Sequence, residues 1–235
     1  MTVDEIMADL LSHGSESIKK VLLKHGVREP FFGVKVEYLK PIRKKIKIDY
    51  QLAKDLYATG NADAMYLAGL IADDDKMTKA DLQTWAEQAL STNINEYTVP
   101  WVAAEGKLGF EMAMEWIDNP QDHVAAAGWS TLGNLAALKE DGDLDIDAYR
   151  ALLQRVIKTI HTSPNRVRSK MNSFVISVGA YINTLSPEAV AAAGEIGAVY
   201  VDTSGTACKV PDAVDYINKA IAKGSLGKKK KTVKC

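Results

Sequence analysis

From position 2 to about position 222 the chain repeats one pattern, a stretch with apolar residues every three or four positions followed by a short loop. Each such stretch predicts an amphipathic α-helix. About a dozen of them follow one another, without a series of alternating strands. Helices in such numbers usually stack in pairs to form a curved solenoid, whose concave face binds a long ligand such as a peptide or a nucleic-acid strand. The pattern therefore predicts an all-α helical-repeat solenoid, an α-α superhelix.

Residues that favour helix ends mark several predicted boundaries. Thr2 with Glu5, and Thr78 with Asp81, have the spacing of a capping box. A third helical stretch is predicted around residues 36–47, and Pro41 suits its first turn or else marks where the helix begins. Later helices are predicted at about 49–59, 61–72, 95–105, 107–118, 121–138, 146–162, 164–184 and 186–200.

Two segments do not follow the helical pattern. Residues 173–182 are rich in β-branched side chains, which favour a strand by propensity alone. We predict a helix there, because helical patterns surround it. Residues 199–209 look extended around a Ser-Gly pair, and we predict irregular structure for them.

The charge of the chain divides it into two parts. Residues 223–235 contain six lysines and no acid, so removing them changes the net charge from -1 to -7 on residues 1–222. We therefore expect a single domain over residues 1–222 and a lysine-rich, mobile C-terminal tail over residues 223–235. The tail could hold nucleic acid without specificity or act as a solubilising segment. An acidic body does not bind nucleic acid over its whole surface, so any anion site must be local.

Several functional classes are disfavoured by what the chain lacks. It has no apolar run of about 20 residues that could span a bilayer, no phosphate-binding glycine loop and no nucleophile elbow. The N-terminus carries acids where a signal peptide carries Lys or Arg. The distant Cys208 and Cys235 form no disulfide framework, and the histidines are scattered. We expect a cytoplasmic monomer without metal or cofactor.

Two groups of basic residues are candidates for phosphate contacts. Arg43 and Lys47 are four positions apart and share a helix face, which could equally be an ordinary solvated face. Arg166, Arg168 and Lys170 lie near a predicted helix N-terminus, where backbone N–H groups favour a phosphate. Cations in a first turn oppose the helix dipole, so a bound anion is expected at this second group.

Aromatic residues near the middle of the chain are a further candidate site. Tyr97, Trp101 and Glu105 are spaced four apart and share one helix face, and Trp129 lies on a later helix. Aromatic rings on a concave surface could stack on bases or pack against sugars. The alternative is that both tryptophans belong to the core.

Residues 33–74 resemble the N-terminal half of AlkD-like DNA alkylation repair glycosylases. The shared features are a glycine-valine loop, a leucine with basic residues, a lysine-rich helix end, and a helix pair whose apolar second helix is followed by acids. The likeness extends weakly to about residue 200, and residues 206–235 look like the ending of a distinct branch. The resemblance implies HEAT-like helical pairs and removal of cationic alkylated purines from DNA, without flipping the base into a pocket.

The positions that carry catalysis in that family have changed here. The resemblance places Tyr97 at the family's tryptophan and Trp101 at its essential aspartate, four residues later. The family's arginine falls near Ala127 or Gly128, and a further tryptophan near Gly179. Three site positions have therefore lost their chemical type.

The loss of the aspartate changes the expected activity. No aspartate occurs between Asp81 and Asp118, so a small shift in alignment cannot restore it. An alkylated purine is already a cationic leaving group, so the enzyme mainly needs a carboxylate that stabilises the oxocarbenium-like sugar. We expect a relative that binds the backbone of damaged or branched DNA with weak or no glycosylase activity. The alternatives are a glycosylase that uses Glu105 or Glu96, and a protein-binding scaffold.

Overall fold

The computed structural model describes residues 1–234, and these contain thirteen α-helices, four 3-10 turns, one π-turn and no strand. The all-α prediction is confirmed. The helices are α1 (Val3–Ser12), α2 (Glu16–Lys24), α3 (Val36–Ile46), α4 (Tyr50–Ala58), α5 (Ala62–Ile71), α6 (Lys79–Gln88), α7 (Val99–Glu105), α8 (Gly109–Trp116), α9 (Asp122–Leu138), α10 (Ile146–Thr159), α11 (Asn165–Tyr181), α12 (Ser186–Ile196) and α13 (Ala213–Ala222). The π-turn is Ile94–Thr98, and the 3-10 turns are Asp74–Lys76, Asp141–Asp143, Ile160–Thr162 and Asn183–Leu185.

From α4 onward the helices alternate between two rows. In the inner row α5 packs on the π-turn, α7 on α9, and α9 on α11. In the outer row α4, α6, α8, α10 and α12 each pack on an inner helix. The inner helices are the more buried, since nine of the ten residues of α5 are buried. We call the partly exposed surface of the inner row around Tyr97, Arg166 and Lys170 the inner face.

Buried apolar side chains explain where most helices form. The two capping boxes, Thr2 with Glu5 and Thr78 with Asp81, are present as predicted. Residues 173–182 lie mainly in α11, as predicted, because Phe174 is completely buried among side chains of the second half of the chain. This burial outweighs the strand propensity of the segment. Residues 199–209 contain neither helix nor strand, which confirms the irregular prediction.

The stretch predicted around residues 36–47 is α3, but the place of Pro41 in it and the continuity of a later helix were predicted wrongly. The third helix begins at Val36, so Pro41 lies inside α3 rather than in its first turn. Pro41 has no backbone N–H, so one hydrogen bond of the helix is missing. Burial of Leu39 and Ile42 on either side of Pro41 stabilises the helix despite this loss. The helix predicted at 95–105 is divided into the π-turn and α7.

The lysine-rich end is docked on the body, so the prediction of a mobile tail was wrong. Residues 225–234, which we call the C-terminal strap, cross the C-terminal ends of the inner helices. Lys229 Nζ donates to the carbonyl oxygens of Ala136 and Tyr181 and lies 3.0 Å from the carboxylate of Asp141. The last carbonyls of a helix lack partners within it and carry partial negative charge. The lysine therefore caps α9 and α11 together.

Candidate nucleic-acid interface

A buried carboxylate organises the cations of the inner face. The side chain of Glu96 is only 2% exposed, and it accepts hydrogen bonds from Nε and Nη2 of Arg166, the latter at 2.6 Å. Lys170 Nζ lies 2.7 Å from Oε2 of Glu96, the same oxygen that accepts from Nη2 of Arg166. Two positive charges and one negative charge leave this group with a net charge of about +1. The anion expected beside Arg166 and Lys170 is thus, in this structure, a carboxylate of the protein itself.

The π-turn sets the orientation of this group. The wider turn buries Glu96 and leaves its neighbour Tyr97 48% exposed. Turns of this kind are rare and occur often at functional sites. On α11, Arg166 and Lys170 are four residues apart and therefore lie on one face. Glu96, Tyr97, Trp101, Arg166 and Lys170 are called the inner cluster below.

Three aromatic rings adjoin these charges. Trp101 is 4% exposed, and its ring meets that of Tyr66 edge to face at 5.4 Å and that of Tyr97 at 6.1 Å. Lys170 Nζ lies 4.9 Å from the centroid of the Tyr97 ring, within range of a cation–π interaction. Tyr97 and Trp101, which share a helix face in the sequence, are therefore together in the structure.

Tyr97 borders two cavities. The polar cavity, of about 390 Å³, is also lined by Arg166, Ser169 and Lys170. The aromatic cavity, of about 280 Å³, is also lined by Tyr66 and Trp101. The remaining side chains of the aromatic cavity are Leu22, Val34, Val36, Leu39, Asp63 and Asn93.

Glu105 lies at the end of α7, where it holds the C-terminal strap. Its Oε1 accepts hydrogen bonds from the backbone N–H of Val233 at 2.8 Å, from the backbone N–H of Lys234 at 3.4 Å and from the hydroxyl of Thr232. The structure does not bring Glu105 into the inner cluster. Its catalytic role stays a prediction, and its visible role is structural.

The end of the strap is fixed by a buried ion pair. Lys234 Nζ lies 2.7 Å from the carboxylate of Asp74, and the two side chains are 6% and 16% exposed. Burial raises the pKa of Asp74 to about 6, although the charge of Lys234 acts in the opposite direction. The nearby carboxylate of Glu105 raises it further.

Arg43 and Lys47 line a third cavity, the edge cavity, of about 490 Å³. Lys40 and Lys44 of α3 also line it, together with Thr232 and Lys234 of the strap and the acidic residues Asp74 and Glu105. The structure thus brings Arg43 and Lys47 together, in a cavity separate from those that adjoin the inner cluster.

The structure places two of the predicted contact residues, Trp129 and Arg168, outside the inner cluster. Trp129 is 1% exposed and packs edge to face on Phe174 at 5.2 Å, so it lies in the core, which was the alternative drawn from the sequence. Arg168 donates to the carbonyl oxygens of Tyr200 and Ser163, at 3.0 and 2.9 Å. Arg168 therefore anchors the loop after α12 instead of joining the inner cluster.

The two glycines in the resemblance have no space for larger side chains. A Cβ at Gly179 would lie 2.5 Å from Cδ1 of Ile217 on α13, and one at Gly128 would lie 2.8 Å from the backbone nitrogen of Ile117. Neighbouring helices therefore pack closely at Gly128, near which the family resemblance places an arginine, and at Gly179, near which it places a tryptophan.

Sequence reasoning missed several residues of this interface. Glu96 was considered only as a catalytic alternative, because its partner Arg166 is 70 positions away and no local pattern links them. Tyr66 and Asn93, which line the aromatic cavity, and Lys234 in the strap also carry no recognisable motif. Its position beside Tyr97 was the only feature of the sequence that could have pointed to Glu96 as part of the interface.

Comparison with known proteins places the chain in a family. The family model described as DNA alkylation repair enzyme matches residues 6–217. The chain belongs to this family. It is 29% identical to the uncharacterized protein Lin0241 of Listeria innocua and 30% identical to the uncharacterized protein Lmo0209 of Listeria monocytogenes. Each alignment covers 94% of this chain and 97% of the relative.

A solved structure matches the whole fold. It is 36% identical over 100% of both chains, with a TM-score of 0.92. That protein is described as one of a new family related to the HEAT-like repeat DNA glycosylases with affinity for branched DNA structures. The HEAT-like architecture and the relationship to DNA glycosylases are therefore confirmed. Within residues 1–234, no helix is long and apolar enough to cross a membrane.

Proposed function

We propose that this protein binds branched DNA through its inner face and has weak or no glycosylase activity. The observation that carries the proposal is the inner cluster, in which Arg166 and Lys170 lie beside the exposed ring of Tyr97. The relative with affinity for branched DNA supports the choice of ligand. Membership of the DNA alkylation repair family supports a role in DNA repair.

The charges of the inner cluster suit a phosphate. The side chain of Arg166 is 39% exposed, and its Nη1 lies outside the two contacts with Glu96. A phosphate can therefore reach it without breaking the buried pair. The cluster keeps a net charge of about +1, which is sufficient for one backbone contact.

The edge cavity offers a second phosphate site. Arg43 and Lys47 are exposed there. The two carboxylates that also line the cavity, those of Asp74 and Glu105, are already held by Lys234 and by the backbone of the strap. Branched DNA presents backbone segments in more than one direction, so two separate sites can contact two arms. The acidic remainder of the body disfavours binding along its whole surface.

Weak catalysis follows from the state of the nearby carboxylates. Glu96 is held by two cations, and Glu105 is held by the strap. Asp63 accepts hydrogen bonds from three consecutive backbone N–H groups of the loop before α3. A glycosylase needs a carboxylate directed at the developing positive charge of the sugar, and losing such a group costs about 10²–10³ in rate or more.

The binding test compares a three-way junction with a linear duplex of equal length by fluorescence anisotropy. The Arg166→Ala variant removes the exposed cation, and Arg150→Ala is its control. Arg150 lies on outer helix α10 and is also ion-paired, with Glu188 at 2.8 Å. We expect junction binding to be tighter than duplex binding and to weaken about tenfold in Arg166→Ala only. Equal affinity for the two DNAs, or no effect of Arg166→Ala, would overturn the proposal.

A parallel assay measures the catalytic part of the proposal. Alkylated DNA is incubated with excess protein, and free 7-methylguanine is quantified. We expect no release above background. Release that disappears in Glu105→Gln would instead establish an active glycosylase. In a separate pull-down, protein partners that remain bound after nuclease treatment would favour a protein-binding scaffold.

The setting of this activity is also part of the proposal. We propose that the protein acts in the cytoplasm, because Cys208 is an exposed free thiol and such a thiol suits a reducing compartment. We also propose that it is a monomer. Analytical ultracentrifugation of the purified protein tests the oligomeric state directly.

A further inference from the structure

We propose that the inner face binds one unpaired nucleotide of branched DNA, with its base in the aromatic cavity and its phosphate in the polar cavity. This inference rests on the proposed function, because it names the part of the DNA that the inner cluster selects. Its three supports are the aromatic lining, the position of Tyr97 between the cavities, and the polar groups at their border.

The aromatic cavity has the lining and size that a base requires. Trp101 is nearly buried and forms part of its wall together with Tyr66, and Tyr97 is exposed at its edge. Four apolar residues, together with Asp63 and Asn93, complete the cavity, whose volume is about 280 Å³. Pockets for drug-sized ligands begin at about 300 Å³, so this one suits a single planar ring system. Every base has a face that stacks on such side chains.

Tyr97 separates the two environments. Lys170, which lines the polar cavity and not the aromatic one, lies over the Tyr97 ring at 4.9 Å. Arg166 lies in the same polar cavity. Base and phosphate of one nucleotide are joined by a single sugar, so one nucleotide can place them on the two sides of this ring.

The charges fix which part of the nucleotide enters which cavity. The carboxylate of Asp63 borders the aromatic cavity and disfavours an anion there. The net positive charge of Arg166 and Lys170 with Glu96 favours the phosphate on the polar side. A neutral base beside a cationic phosphate site is the arrangement that meets both conditions.

A polar group at the border also lacks a partner. Asn93 lines both cavities, and its buried Oδ1 has no hydrogen-bond partner among residues 1–234. Buried acceptors of this kind normally accept a hydrogen bond. The N–H groups on the edge of a base are donors of the kind that this oxygen lacks.

An unpaired base fits this site better than a paired one. The cavity is lined by α2, the loop before α3, α3, α5, the π-turn and α7, so a base within a duplex stack cannot enter it. Branch points and bulges supply bases that have already left the stack, which lowers the cost of extrusion.

The test uses two three-way junctions, one fully paired and one with a single unpaired 2-aminopurine at the branch. Stacking on an aromatic side chain quenches this fluorescent base. We expect saturating wild-type protein to quench the unpaired probe and to leave a probe paired within an arm unchanged. This measurement needs no variant, so it does not depend on how a substitution affects folding.

A variant pair then tests the residue assignment. Tyr97→Leu is expected to reduce the quench, with Trp101 and Tyr66 still in the wall, and to weaken binding of the bulged junction about tenfold more than binding of the paired one. Tyr216→Leu, at a tyrosine on α13 that is 53% exposed, should change neither. An unchanged probe signal at saturation, or equal effects of Tyr97→Leu on both junctions, would refute the nucleotide site and leave DNA binding intact. Failure to bind either junction would refute the proposed function itself.

Discussion

Replacing Lys234 by methionine tests how the C-terminal strap is held. Methionine keeps an unbranched apolar side chain and removes the charge that pairs with Asp74 at 2.7 Å. Burial already raises the pKa of Asp74 to about 6 with Lys234 in place. Without its partner the carboxyl group can take up a proton instead of remaining charged and buried.

The cost of that proton sets the size of the effect. At pH 7.5, protonating a group with a pKa of about 6 costs about 2 kcal/mol. This cost is the upper limit for the loss of stability in Lys234→Met, because the variant can protonate Asp74 and a neutral Asp74 needs no charged partner. At pH 5.5 most wild-type Asp74 is already protonated, so the same substitution should cost less than about 1 kcal/mol.

The sign follows from the direction of the pKa shift. The pKa of Asp74 in the folded protein lies above its ordinary value of 3.8, so the folded state binds the proton more tightly than the unfolded state does. The stability gained from this proton is complete below about pH 4 and is lost as the pH rises through about 6. The contribution of Lys234 is therefore largest above pH 6.

Urea unfolding at pH 5.5 and pH 7.5 measures this difference. Lys231→Met is the control, because Lys231 is an exposed lysine of the same strap. For a protein of this size, a loss of about 2 kcal/mol also lowers the melting temperature by about 4–8 °C. An equal loss at both pH values, or an equal loss in Lys231→Met, would refute the reasoning.

Three further substitutions give distinct outcomes. Glu96→Gln is expected to lower the free energy of unfolding by about 3 kcal/mol, because a buried charge partner is lost. The same variant should bind junction DNA more tightly at low salt by anisotropy, and weaker binding by the folded variant would contradict this. Gly179→Ala should cost about 1–3 kcal/mol in urea unfolding, since its Cβ would meet Ile217. Adding Ile217→Val should restore part of that stability, and no recovery would exclude the clash. Glu105→Gln should speed hydrogen exchange at the Val233 amide, and unchanged exchange would show that the contact with Glu105 is unimportant.

Most of the fold was predictable because its signals are local. Apolar spacing, capping boxes and short loops gave the order of the helices and many of their bounds. Pro41 was misplaced because burial of Leu39 and Ile42 stabilises a helix that local preference would start later. The π-turn was not predicted, since its wider hydrogen-bonding pattern depends on packing against α5 and α9.

The candidate site was only partly predictable. Spacing of four residues grouped Tyr97 with Trp101, and the position near a helix N-terminus grouped Arg166 with Lys170. The second group also included Arg168, whose side chain the structure places on the loop after α12. Glu96, whose carboxylate joins the two groups, is the neighbour of Tyr97 but lies 70 positions from Arg166, so no local pattern shows the ion pair.

The strap was misjudged for a similar physical reason. A run of lysines is usually solvated and mobile. Here its docking depends on carbonyl groups at the ends of α9 and α11 and on Glu105 and Asp74, all distant in sequence. Composition alone cannot reveal such partners.

The salt dependence of junction binding tests the central claim, that cations of the inner face contact DNA phosphates. The dissociation constant of a three-way junction is measured at several salt concentrations for wild-type protein, Arg166→Ala and Arg150→Ala. We predict a linear fall of log affinity with log salt, with a slope that decreases by about 1 in Arg166→Ala and is unchanged in Arg150→Ala. A flat plot for the wild-type protein, or the same slope in Arg166→Ala, would contradict the claim.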